Sequence, residues 1–253
     1  MSDHRHSTPI VRMEGIVKRF GTITALDGVD FDVYSHEVVG LLGDNGAGKS
    51  TLIKCLTGVH TPEEGQIIFE GQPVRISSPR EARALGIECC YQDLALVNQM
   101  SIVRNFYLGR ELVRRLGPLH WLDIREMNRQ TCEALRDIGI VIRSPSEKVG
   151  SLSGGERQSI AIGRAKHFGA KLLILDEPTS ALSVAETRKV LAYTQAAKER
   201  GLGVIFITHN VHHVYQVADR FAILRHGKLV GTYEKGEVTE EDIADLITGE
   251  RER

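Results

Sequence analysis

The sequence predicts an α/β fold: a core sheet flanked by helices, a small antiparallel sheet ahead of the first main strand, and a helical insertion in the middle of the chain. Three observations carry that expectation. Val38-Val39-Gly40-Leu41-Leu42 and Leu172-Leu173-Ile174-Leu175 are apolar runs without alternation, as in strands buried on both faces. The first run leads through a glycine-rich loop into Leu52-Ile53-Lys54-Cys55-Leu56, whose apolar spacing suits a helix. From Asp93 to about Ala165 the texture is helical, and alternation of strand and helix resumes after it.

Residues 1–9 are polar and are expected to fray, with His4 and His6 solvated. Ile10 to Phe20 and Val29 to Tyr34 mix β-type segments with turn residues and suggest antiparallel pairing, with Phe20-Gly21 on the turn between them. Thr57-Gly58 ends the helix that follows the glycine loop, and Thr61-Pro62-Glu63-Glu64-Gly65 turns the chain into a strand from Gln66 to Glu70. Pro79 opens a helix through Leu85 that Gly86 stops, and Ile87 to Tyr91 reads as a strand ending at Gln92. Helical periodicity then marks Val103 to Leu108, Ile124 to Ile138 and Gly154 to Phe168, with Gly117-Pro118 and Ser144-Pro145 in the connections. In the second half the Leu172 strand ends on Asp176-Glu177-Pro178, and a helix spans Val184 to Glu199. A strand from Gly203 to Ile207 then ends at Thr208-His209-Asn210, and a further helix reaches Ala218. Strands Arg220 to Arg225 and Lys228 to Glu234 and a helix from Glu240 to Thr248 close the chain. The expected organisation is one domain over residues 10–250, with a core of 10–92 and 166–250 and a helical subdomain of 93–165.

The chemistry centres on Gly43-Asp44-Asn45-Gly46-Ala47-Gly48-Lys49-Ser50-Thr51, which has the spacing G-x-x-x-x-G-K-S between a strand and a helix. Glycines there let successive amides converge on the α- and β-phosphates of a nucleotide, and the helix N-terminus adds partial positive charge. Lys49 suits the β- and γ-phosphates, and the Ser50 hydroxyl suits Mg²⁺. A glycine-rich turn without ligand is the plainer alternative. Asp176, after a buried strand, has the chemistry for a second Mg²⁺ contact, and Glu177 can orient or deprotonate the water that attacks the γ-phosphate. The same pair also reads as a helix cap with a solvated neighbour, since Pro178 and Thr179 follow. Leu152-Ser153-Gly154-Gly155-Glu156-Arg157 is a helix start with a serine cap and two glycines, where bare amides and a hydroxyl would face an anion.

Composition narrows the partners. The 253 residues are 42% hydrophobic and 26% charged with a formal net charge of −1, so no global field favours a polyanion and nucleic acid is not expected as the main partner. Cys55, Cys89, Cys90 and Cys132 form no C-x-x-C pair and read as reduced core thiols. No apolar run reaches the ~18 residues of a membrane span and MSDHRHSTPI lacks a signal-peptide core, so a soluble chain that stays inside the cell is expected.

With the phosphate loop, the Leu152-Ser153-Gly154-Gly155 helix start and Asp176-Glu177 in one chain, the sequence resembles the ABC (ATP-binding cassette) ATPase family along nearly its whole length. The resemblance implies a P-loop NTPase fold with a RecA-like core sheet. It also implies hydrolysis of ATP with Mg²⁺ by two cassettes, each capping the other's nucleotide with its Ser153, Gly154, Gly155 and Glu156 segment. By the same resemblance Phe20 stacks on adenine, Gln92 senses Mg²⁺ and water, and His209 contacts the γ-phosphate. Ser180-Ala181-Leu182 becomes the loop that runs between the two sites. Read alone, Phe20 is a core residue and His209 a core or capping histidine, while His212 and His213 stay surface or packing residues. The sequence departs from the family pattern at Glu156, where glutamine is usual, and at Ser183, where aspartate is usual.

Tyr91-Gln92-Asp93-Leu94-Ala95-Leu96, Asn105-Phe106-Tyr107-Leu108-Gly109-Arg110-Glu111 and the Thr239 to Gly249 ending resemble cassettes of bacterial monosaccharide importers of the ribose, xylose and fructose group. That implies two identical copies on the cytoplasmic face of the cell membrane, held by a permease that the helical subdomain docks, with a separate sugar-binding protein. The competing readings are a soluble ABC ATPase outside transport, a phosphotransferase using the same loop, and a nucleotide-binding module without catalysis. Ser183→Asp is expected to keep ATP binding and to alter hydrolysis; equal steady-state rates in the two proteins would discard a coupling role for this position.

Overall fold

The computed structural model describes residues 8–90, 96–117, 119–137, 139–180 and 182–250, so expectations for residues 1–7, Gln92 and its neighbours, and Ala181 lie outside the described residues. Strand β1 (Val11–Phe20) pairs antiparallel with β2 (Ile23–Val33) on one side and β4 (Glu64–Phe69) on the other; β5 (Gln72–Val74) completes the order β2-β1-β4-β5. Two differences from the sequence expectation arise here. Strand β2 starts at Ile23 rather than Val29, because Gly28, at a φ of 68°, lies where the register with β1 shifts; the residues that read as a turn are an irregularity within one strand. The three-residue β5 is too short to carry a periodicity.

The main sheet has six strands in the order β12-β11-β3-β10-β9-β6, built from β3 (Val38–Leu42), β6 (Ile87–Cys90), β9 (Leu172–Asp176), β10 (Gly203–Ile207), β11 (Arg220–Arg225) and β12 (Lys228–Glu234). Five are parallel and β12 returns antiparallel on β11. Its strands feed two separate cores. Val38 and Leu42, Leu173 and Leu175, Val204 and Phe206, and Phe221 and Ile223 enter the first. Val39 and Leu41, Leu172 and Ile174, Ile205 and Ile207, and Ala222 and Leu224 enter the second. Both faces being dry, alternate residues lose no water contact by being apolar, which is why these strands read as unbroken apolar runs.

Helices α1 (Lys49–Leu56) and α2 (Pro79–Leu85) pack in the second core with the antiparallel sheet. The first core takes α3 (Ile102–Phe106), α4 (Ile124–Arg136), α5 (Gly154–His167), α6 (Val184–Glu199), α7 (Val211–Val217) and α8 (Glu240–Thr248). Between α3 and α4 a hairpin, β7 (Val113–Leu116) with β8 (Leu119–Leu122), corrects the expectation of a wholly helical insertion. Gly117, at a φ of 61°, starts its tight turn, so a glycine read as a connector is a hairpin tip. All four cysteines are free thiols, and burial pushes Cys55 up to about 11 and Cys90 to about 12. Among the described residues no helix is long and apolar enough to cross a membrane.

A largely buried ionic cluster pins the start of β11 to the end of β2 and the approach to β3. Arg220 Nε donates to Glu37 Oε1 at 2.8 Å and its Nη1 to Asp32 Oδ1 at 2.7 Å, with Glu37 3% exposed. Removing the guanidinium would leave the Glu37 carboxylate in the interior without its counter-charge, although it would still accept the Tyr34 N–H at 2.9 Å. Arg220→Met is expected to destabilise the chain by about 3–5 kcal/mol, read by urea unfolding; a loss below ~1 kcal/mol would show that water reaches the cluster.

Candidate functional site

The register of three adjacent parallel strands assembles the site. Ile207 of β10 stands opposite Leu41 of β3 on one side and Asp176 of β9 on the other. The carboxyl ends of β3, β10 and β9 therefore lie side by side, with strands about 4.8 Å apart, and each continues into one of the segments singled out in the sequence. A cavity of about 450 Å³ opens there, lined by Ala25, residues 45–51, Asp176, Glu177, Ile207 and His209. Its volume falls in the range of small-molecule sites.

The loop after β3 is shaped by its own glycines. Gly43 has a φ of 147°, and a Cβ there would meet the Leu224 carbonyl oxygen at 2.2 Å, so no other residue fits beside β11. Lys49 folds back over the loop, its Nζ donating to the carbonyl oxygens of Gly43 at 2.7 Å and Asp44 at 3.0 Å. Burial pushes this ammonium below the ordinary lysine range, while the charges of Glu177, Asp44 and Asp176 pull the other way. Gly43 and Asp44 thus touch the lysine rather than line the cavity, and Asn45 to Thr51 line it directly.

Glu177 takes a left-handed φ of 48°, an uncommon conformation for a residue with a side chain. Its backbone N–H donates to the Ile207 carbonyl at 2.9 Å, which ties the end of β9 to β10. One carboxylate oxygen accepts from the His209 N–H at 3.1 Å and lies 2.9 Å from His209 Nδ1. The other accepts from Thr208 Oγ1 at 3.1 Å. Thr208, 1% exposed, also accepts the Asn210 N–H on that hydroxyl oxygen, so its single proton is directed at Glu177. Neither plainer reading of these residues holds. The cap of the following helix α6 is Ser183, not Asp176 or Glu177, and His209 is exposed while Asn210 caps α7.

Sequence reasoning missed Thr208, Ala25 and Ile207. A hydroxyl residue between a buried strand and the histidine was the signal for Thr208; Ala25 enters only because β2 passes over the loop, a placement no local pattern carries.

Two expected site elements lie elsewhere. Phe20 ends β1 exposed, edge-on to the His60 ring at 5.1 Å and with Lys18 Nζ 5.4 Å from its centroid, so it is not a core residue and does not line the cavity. Ser153, Gly154, Gly155 and Glu156 at the tip of α5 also stand outside the cavity lining. The amides of that tip are not bare. Ser153 and Glu156 form a reciprocal cap, with Ser153 N–H donating to Glu156 Oε2 at 2.8 Å and Glu156 N–H to Ser153 Oγ at 3.3 Å, and the buried Gly155 N–H donates to Glu186 Oε1 at 3.3 Å.

Among the described residues no group of three or more His, Cys, Asp or Glu side chains is placed to cage a metal. The donor set at the cavity, a Ser50 hydroxyl and an Asp176 carboxylate, fits instead a Mg²⁺ that keeps waters and takes its other oxygens from phosphates. Burial pushes the Asp176 acid above its ordinary value, and the charge of Glu177 adds to that while Lys49 opposes it.

A phosphate loop at the carboxyl end of a parallel sheet, with a lysine, two carboxylates and a histidine converging on it, defines the class of P-loop nucleotide-binding proteins. Comparison with known proteins narrows the class. The ABC transporter family profile matches residues 26–180. The chain is 44% identical over 239 residues to the xylose/arabinose import ATP-binding protein XylG of Sulfolobus acidocaldarius, covering 94% of each. It is 44% identical to the fructose import ATP-binding protein FrcA of Rhizobium meliloti, over 96% of this chain and 95% of that one. The ribose import ATP-binding protein RbsA 1 of Rubrobacter xylanophilus is 44% identical over 88% of this chain but only 44% of its own length. Among solved structures, the nucleotide-free ATP-binding cassette of an ABC transporter superposes with a TM-score of 0.81 at 27% identity over 95% of this chain and 96% of that one. The chain belongs to the ABC transporter family and is an ATPase cassette of it.

The position of Asp176 sets stability against function. Because its folded value lies above the ordinary carboxylate value of 3.8, the folded chain holds the proton more tightly, and stability falls as pH rises through that range. Asp176→Asn removes a buried charge and is expected to raise the thermal midpoint of the nucleotide-free chain at pH 7 by about 1–3 °C, with the gain shrinking as pH approaches 4. A midpoint lowered at pH 7 would show that attraction to Lys49 outweighs burial.

Proposed function

We propose that this chain is the ATP-hydrolysing subunit that energises an importer of a monosaccharide, acting as two identical copies on the cytoplasmic face of the cell membrane, held there by permease subunits. A separate sugar-binding protein delivers the sugar, and no surface of this subunit is assigned to it. The observation that carries the two-copy part is the distance between halves of one site: in a single chain the Ser153 to Glu156 tip stands outside the cavity that Lys49, Asp176 and Glu177 share. A second copy would bring its tip to that cavity. The sugar reading rests on the near end-to-end match with the xylose/arabinose and fructose import ATP-binding proteins.

In this reading the amides of Gly43 to Thr51 cradle the phosphates, and the Lys49 ammonium exchanges its two loop carbonyls for the β- and γ-phosphate oxygens. Ser50, Asp176 and Gln92 hold Mg²⁺, which neutralises phosphate charge. Glu177, fixed by Thr208 and His209, accepts a proton from the attacking water, and His209 senses the γ-phosphate. Phe20, already exposed, stacks on adenine. ATP binding closes the pair of cassettes and hydrolysis reopens it. Division into a core of 10–92 and 166–250 and an inserted subdomain of 93–165 gives the motion a path to the permease.

Glu177→Gln keeps the size of the side chain and one accepting oxygen, enough for the His209 N–H, but gives up the second acceptor that faces Thr208 and the base. It is expected to bind ATP with Mg²⁺ at unchanged affinity, to accumulate as a dimer in analytical ultracentrifugation, and to turn over about 10²-fold slower or worse. Undiminished phosphate release would remove Glu177 from the role, and a monomer under saturating ATP would remove the two-copy site.

A further inference from the structure

Ser183, where the sequence departs from its family, and Gly155, next to the other departure at Glu156, are joined in space by a residue that neither motif includes. Glu186 lies in the first turn of α6, half-buried. Its Oε2 accepts from the Ser183 N–H at 3.0 Å and from Ser183 Oγ at 2.8 Å, while Ser183 Oγ accepts the Glu186 N–H at 3.3 Å. Its Oε1 reaches across to α5 and accepts the Gly155 N–H at 3.3 Å. Hydrogen bonds from Ser183, then Gly155, hold this carboxyl down at about 2.

Packing repeats the message. A Cβ on Gly155 would sit 3.1 Å from the Glu186 Cβ, and one on Gly154 would sit 2.5 Å from Leu182 Cδ2. Gly155 thus lies in close contact with the start of α6 within this chain, whereas the neighbour at Gly154 is the movable end of the Leu182 side chain.

We propose that Glu186 is a positioning residue: its carboxylate fastens the tip of α5 to the loop that precedes α6, so that Ser153 to Glu156 and Ser183 face a second copy as one rigid unit. The inference rests on the two-copy reading above. It also accounts for the serine at 183. Ser183 Oγ gives its only proton to Glu186, and an aspartate there has no proton to give and would set a carboxylate against a carboxylate.

The test uses the full chain in the Glu177→Gln background. Dimerisation with ATP is followed by analytical ultracentrifugation, nucleotide affinity of the single chain by fluorescent ATP titration at low protein concentration, and folding by thermal midpoint. Glu186→Ala and Ser183→Asp are each expected to weaken the ATP-bound dimer about tenfold or more, with nucleotide affinity of the single chain changed by less than about twofold. The pair Ser183→Asp with Glu186→Gln restores the side-chain part of the bridge with its polarity reversed, since the glutamine amide donates to Asp and its oxygen still accepts from Gly155, while the bond from the residue-183 N–H is given up; it is expected to bind as a dimer at least about threefold tighter than Ser183→Asp alone. Equal dimer affinity in Glu186→Ala and its parent, or no recovery in the double variant, would overturn the clamp alone. A parent that stays monomeric with ATP would overturn the two-copy reading and the clamp together.

Discussion

Parallel register between three neighbouring strands is the constraint on which the site depends. Leu41, Ile207 and Asp176 stand level across β3, β10 and β9, and the residues just beyond them are the phosphate loop, Thr208-His209 and Glu177. Groups more than a hundred residues apart in the chain meet because the strands end at one level, not because any loop reaches for another. A one-residue slip of β10 would exchange its two core faces and move His209 away from Glu177 at once. Burial of both sheet faces blocks that slip, since Val204 and Phe206 serve one core and Ile205 and Ile207 the other.

On this rigid floor the polar groups hold one another. Lys49 satisfies its ammonium on two carbonyls of its own loop, and Glu177 is fixed on three sides by Thr208, the His209 amide and the His209 ring. The charges are buried enough to oppose ionisation, as the displaced values of Lys49 and Asp176 record, yet remain open to a cavity where phosphates and a divalent cation would relieve them. The left-handed backbone at Glu177 belongs to the same arrangement: the residue leaves the direction of β9 and turns its carboxylate toward the end of β10.

The α5 tip shows a different economy. Glu156 and Ser183 depart from the family pattern, yet each is half of a reciprocal helix cap, Ser153 with Glu156 and Ser183 with Glu186. Both helix starts are complete within the chain, and the Gly155 amide that would greet an anion already has one in Glu186. A helix N-terminus attracts negative charge whatever its source, and here the nearest source is the neighbouring helix.

Local sequence by itself determined the elements that a few adjacent residues control. The phosphate loop is spelled by Gly43 to Thr51, helix α2 by Pro79 and Gly86, and the buried strands by runs such as Leu172 to Leu175. Asp176 and Glu177 were legible from the buried strand before them, whereas His209 entered through the family resemblance. What only the tertiary structure decided depends on groups brought together from distant segments: the proton of Thr208 aimed at Glu177, Ala25 laid over the loop by β2, and the Glu186 carboxylate spent on the tip of α5. The hairpin at Val113–Leu122 and the early start of β2 escaped for the same reason, since Gly117 and Gly28 look alike in sequence and only strand pairing distinguishes a tip from an irregularity. A hydrogen bond has no sequence period; its partner is chosen by how sheets and helices stack, and that stacking is a property of the whole chain.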